Sequence, residues 1–61
     1  MNMEHLREEA KSLVEVAYKT AVFNTILELR LRGGPRVSVE EAEKLTDVIF
    51  PDLWVRFQGG V

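Results

Sequence analysis

The sequence predicts an all-α fold: one long helix and one short helix in a hairpin, followed by an extended C-terminal arm and assembled into a dimeric helical bundle. Residues Asn2 to Arg32 contain neither Pro nor Gly, so nothing in that stretch forbids one continuous helix. Ser38 followed by Glu41 forms a capping-box signature that opens a second helix. The apolar residues of the long helix occupy two faces, more than one short helix can cover.

The first helix is expected over residues 3–32, about 45 Å at 1.5 Å per residue. Asn2 can cap it, and Glu4, Glu8 and Glu9 complement its N-terminal dipole. Gly33-Gly34-Pro35 supplies first a residue free to take positive φ and then one that cannot continue the ladder, so the turn is placed at 33–37. The second helix is expected over 39–49. It carries Val39, Ala42, Leu45, Ile49 and Phe50 on one side and stops before Pro51. The arm, 52–58, alternates apolar and mixed residues at period two and reads as extended.

On a wheel at about 100° per residue, Leu6, Ala10, Leu13, Val14, Ala17, Ala21 and Leu31 form one stripe of helix 1, flanked by Val16 and Leu27. Val22, Ile26 and Leu29 form a second apolar patch on the other side of the helix's latter half. Folded back from its turn, an 11-residue second helix reaches only to about residue 20. A second subunit is the simplest cover for what remains, with Leu13, Ala17, Ala21, Val22, Ile26 and Leu29 as the self-association residues. Burying three side chains such as Val22, Ile26 and Leu29 is worth on the order of 5 to 8 kcal/mol before association costs. The alanines admit close helix approach, and Asn24, at the centre of the stripe, is the kind of lone polar residue that fixes register in bundles.

Size points the same way. A chain of 61 residues holds one domain and buries only about 60% of its unfolded surface. Domains this small rely on disulfides, a metal or oligomerisation, and the absence of cysteine removes disulfides and thiolate zinc sites. The net charge of -2, from ten acidic and eight basic residues, gives no general attraction to nucleic acid. No apolar run approaches the roughly 18 residues of a membrane span, and nothing at the N-terminus resembles a secretory signal. The expected location is the cytoplasm, away from the membrane.

Catalysis has little to work with: one His, one Tyr and two Ser, with no nucleophile set beside a base. His5 lies within a turn of Glu8 and Glu9, a spacing read as an ordinary solvated first turn rather than a metal site. No enzyme activity, metal or cofactor is expected. Arg30, Arg32 and Arg36 surround the turn, and Arg56 could join them, forming a basic cluster able to contact phosphate or an acidic partner. The bland explanation is that cations favour a helix C-terminus. Trp54 is expected to be core, or an anchor for a partner if exposed.

Two short resemblances complete the reading. Leu29-Arg30-Leu31-Arg32-Gly33-Gly34 resembles the ubiquitin C-terminal tail over those six residues, but here the segment is internal and followed by Pro35. Val37-Ser38-Val39-Glu40-Glu41-Ala42-Glu43-Lys44-Leu45 resembles the opening helix of excisionase-like helix-turn-helix domains, which implies DNA binding. Thr46-Asp47-Val48 departs from that pattern by lacking the turn glycine, and Arg56 and Gln58 are the only polar readers that follow. The expected function is therefore a small protein–protein interaction or regulatory module whose first partner is itself and whose second could be another protein. A small DNA-binding regulator is the alternative.

Overall fold

The computed structural model describes residues 2–59 and contains two helices, α1 (Met3–Glu28) and α2 (Val39–Gly59). Both begin where capping chemistry places them. The Asn2 side-chain oxygen accepts the amides of Glu4 at 3.0 Å and His5 at 3.3 Å, and the Ser38 hydroxyl accepts the amide of Glu41 at 3.2 Å. These bonds satisfy amides that no preceding turn can reach.

Both C-terminal ends differ from expectation. α1 stops at Glu28 rather than near residue 32, because Leu29 turns extended (φ -69°, ψ 147°) and enters a short antiparallel ribbon. In that ribbon Val37 donates its amide to the Leu29 carbonyl at 3.0 Å and Leu31 donates to that of Pro35 at 3.2 Å. Pro35 has no amide to return, and the Leu31 carbonyl is satisfied by Gly34 at 2.6 Å instead. Arg32 (φ 39°) and Gly33 (φ 79°) form the tip, and at Gly34 a side chain would bring a Cβ within 2.9 Å of the Leu31 carbonyl oxygen. Stopping α1 early lets Val37 swing under the helix into the core beside Ile26 and Ala42.

α2 runs through Pro51 to Gly59, so the segment expected to be an extended arm is helical. Proline removes one ladder hydrogen bond and crowds the carbonyl four residues back, a cost of about 3 kcal/mol in a helix interior. The Asp47 carbonyl it leaves unpaired belongs to an exposed turn that water can reach. The offset is aromatic. Helical spacing gathers Phe50, Trp54 and Phe57 on Tyr18, with ring centroids 6.1, 5.7 and 5.1 Å away. Phe50 and Phe57 also stack on Trp54 at 6.0 and 5.6 Å. Each such pair contributes about 0.5–1.5 kcal/mol beyond its burial, enough together to outweigh the proline. Trp54 is buried, whereas its neighbour Val55 is 66% exposed.

The helices lie antiparallel. Near the turn, Ile26, Val37 and Ala42 are buried, with Val22, Phe23 and Leu27 packed around them. Thr46 is also buried, and its hydroxyl donates to the Ala42 carbonyl at 2.6 Å. At the far end Trp54 and Gln58 lie beside Glu8, Lys11 and Ser12. α2 thus reaches well beyond residue 20 of α1, almost to its first turns.

Candidate functional site: the uncovered face of the first helix

α2 takes one side of α1. The residues of α1 that meet it are Tyr18, Lys19, Val22, Phe23 and Ile26, and Lys19 pairs with Asp47 at 3.7 Å on that side. Counted at about 100° per residue, this direction is nearly opposite the stripe of Leu6, Ala10, Leu13, Ala17 and Ala21. The stripe therefore faces out. Leu13 is 68% exposed, Leu6 43%, and the flanking Val14 and Val16 46% and 62%. Ala10, Ala17 and Ala21 are exposed with them.

This divides the residues expected to mediate self-association. Leu13, Ala17 and Ala21 lie on the open face. Ile26 is buried in the chain's own core and Val22 packs against it, so both are committed to α2, which needs just the large apolar side chains that the sequence left over. Leu29 leaves the helix for the ribbon and is 53% exposed.

The open face continues into the groove between the helices, about 330 Å³ in volume, lined by Tyr18, Ala21, Val22, Thr25, Ile26, Ile49 and Leu53. Ala21 belongs to both. The consequence for the whole molecule is visible in its dimensions. Its accessible surface is 5160 Å², whereas a compact chain of 7.0 kDa exposes about 4,000 Å². Its radius of gyration, 14.6 Å, likewise exceeds the roughly 10.5 Å of a compact domain of this length. No protein-family model, curated protein or solved structure matches the chain. The face must be read from its own chemistry.

Polar groups give less. Arg30 and Arg36 stand opposite each other in the ribbon, Arg32 is at its tip, and the Glu28 carboxylate meets the Arg36 guanidinium at 3.4 Å. Of the three arginines around the turn, Arg36 takes the Glu28 carboxylate. Arg56 does not join them. It pairs with Asp52 at 3.1 Å, about 25 Å of helix away from the start of α2. His5 meets Glu9 at 3.7 Å, both exposed, and among the described residues no three His, Asp or Glu side chains converge as metal ligands would. Among those residues, too, no helix is long and apolar enough to cross a membrane.

The sequence reading placed Phe50 on helix 2 and Trp54 in the core, but missed that the aromatic residues share one helical face, although their spacing was available. Phe50, Trp54 and Phe57 stand at i, i+4 and i+7, a helical period that continues straight across Pro51.

Proposed function

We propose that this chain is a small cytoplasmic interaction module without catalytic activity, acting by associating with a copy of itself through the outward face of α1. The observation that carries this reading is the orientation of α1: its inner apolar residues are used by α2, while a second periodic apolar stripe, Leu6, Ala10, Leu13 and Ala17, stays exposed on the side away from α2. The surface above that of a compact monomer, about 1,100 Å², is more than the roughly 800 Å² each partner gives to an ordinary protein interface. The non-enzymatic part rests on the side-chain inventory, which sets no nucleophile beside a base. A DNA-binding role draws less support. α2 runs unbroken from Val39 to Gly59, where a helix-turn-helix needs a turn and a second helix.

Sedimentation equilibrium tests the association. At micromolar concentration the chain should have twice its monomer mass, and Leu13→Glu should halve that mass while keeping the helical circular-dichroism signal. A monomeric wild-type chain would end this reading.

A further inference from the structure

Resting on that self-association, we propose that the second copy lies antiparallel along α1, crossing near residue 15, so that Ala17 of each protomer meets Leu13 of the other. On the outward face Met3, Leu6, Ala10, Leu13, Ala17, Thr20 and Asn24, all exposed, follow one another at alternating steps of three and four residues, the heptad pattern of a paired helix. The small residues Ala10 and Ala17 occupy one heptad position, and Leu6 and Leu13 the other. In a parallel, in-register pair alanine meets alanine twice and leaves those layers underfilled. In the antiparallel pair three layers set a smaller side chain against a larger one: Ala17 on Leu13, Ala10 on Thr20, Asn24 on Leu6. Facing positions fill best in that way.

Charge favours the same orientation. The first half of α1 holds Glu4, Glu8, Glu9 and Glu15 against Arg7 and Lys11, four acids to two bases. The turn end holds Arg30, Arg32 and Arg36 against Glu28 and, in the first turn of α2, Glu40 and Glu41, three bases to three acids. An antiparallel pair sets the acidic end of one protomer against the balanced end of the other and opposes the helix dipoles. A parallel pair stacks the two acidic ends on each other. A parallel pair would match Asn24 with its own copy, a favourable contact, but that is one layer against two underfilled layers and one repelling end.

Cysteine cross-linking decides the matter, because the chain has no cysteine of its own. Ala10 and Thr20 are both exposed, so Ala10→Cys and Thr20→Cys should fold, and circular dichroism checks that they do. A disulfide requires Cα atoms within roughly 7 Å, so the antiparallel pair should cross-link the mixed variants roughly ten-fold faster than either variant alone. Each variant linking to itself, with no gain on mixing, would overturn the orientation in favour of a parallel pair. A dimer by sedimentation that links in no combination would overturn the register. A monomer by sedimentation would overturn the self-association itself and leave the face to a different protein.

Discussion

The two faces of α1 are both apolar and periodic, yet they are built from different side chains. The inner face presents Tyr18, Val22, Phe23 and Ile26, large and in part aromatic or β-branched. The outer face presents Ala10, Leu13, Ala17 and Ala21, alanine alternating with leucine. α2 answers the inner face with small residues, Ala42 and Thr46, where the helices come close near the turn, and with Phe50, Trp54 and Phe57 farther along. Large side chains can span the gap to a helix of modest size; alanines bury nothing unless a backbone approaches closely. The inner face thus suits the short, tethered helix, and the outer face suits a long, regular one. Another α1 is such a helix.

The comparison breaks most visibly at Trp54, the largest buried side chain of the inner contact. Trp54→Ala removes the ring on which Tyr18, Phe50 and Phe57 all pack. Large aromatic-to-alanine changes in a core cost about 3–5 kcal/mol, comparable with the whole stability of a domain this size. The expected outcome is loss of a cooperative thermal transition. Leu13→Glu, on the outer face, should halve the mass and keep a cooperative transition, lowered only by the lost stabilisation from dimer formation. If the two variants melted alike, the division between a fold-bearing face and an association-bearing face would be wrong.

Much of this was legible in the sequence, and the rest failed for identifiable reasons. Both helix starts could be read, because an Asn or Ser cap bonds amides only two or three residues away. Both apolar faces of α1 could also be read, from periodicity alone. Which face α2 would occupy could not, since that depends on the reach of α2, and taking Pro51 as a stop shortened α2 to about residue 49 instead of Gly59. A local rule lost to tertiary packing: one missing hydrogen bond weighs less than an aromatic cluster completed by continuing the helix. The end of α1 was missed for the opposite reason. Leu29-Arg30-Leu31-Arg32 alternates at period two and announces the ribbon, but good helix formers and a later Gly-Gly concealed it. With α1 shortened, Leu29 and the arginines changed element, and the basic cluster became a feature of a hairpin tip.

Pro51 offers a sharper, smaller test of the inner face. If α2 is helical through it, Pro51→Ala restores an amide to the Asp47 carbonyl and relieves the ring's clash, a gain of up to about 3 kcal/mol. Losing proline's restraint on the unfolded chain offsets about 0.4–1 kcal/mol of that. A net stabilisation of about 2 kcal/mol, read as a higher urea midpoint at constant slope, is expected. An unchanged or lower midpoint would mean that the ladder is not continuous across residue 51 and that the aromatic contacts are held another way.

The smallest effect lies in the turn that delivers α2 to the inner face. Arg32 has φ 39°, a left-handed conformation that costs an ordinary side chain about 1–2 kcal/mol. Asparagine bears that conformation more readily, because its short amide can bond the local backbone. Arg32→Asn should therefore stabilise the hairpin by about 0.5–1 kcal/mol, the scale of other turn-compatible replacements. Removing a positive charge beside Arg30 and Arg36 would also relieve repulsion, so Arg32→Ala serves as the control. Alanine loses the charge and keeps the backbone cost. If both variants gain equally, the relief is electrostatic and the turn is unstrained; if only asparagine gains, backbone conformation at the tip limits how firmly α2 is held against Val22 and Ile26.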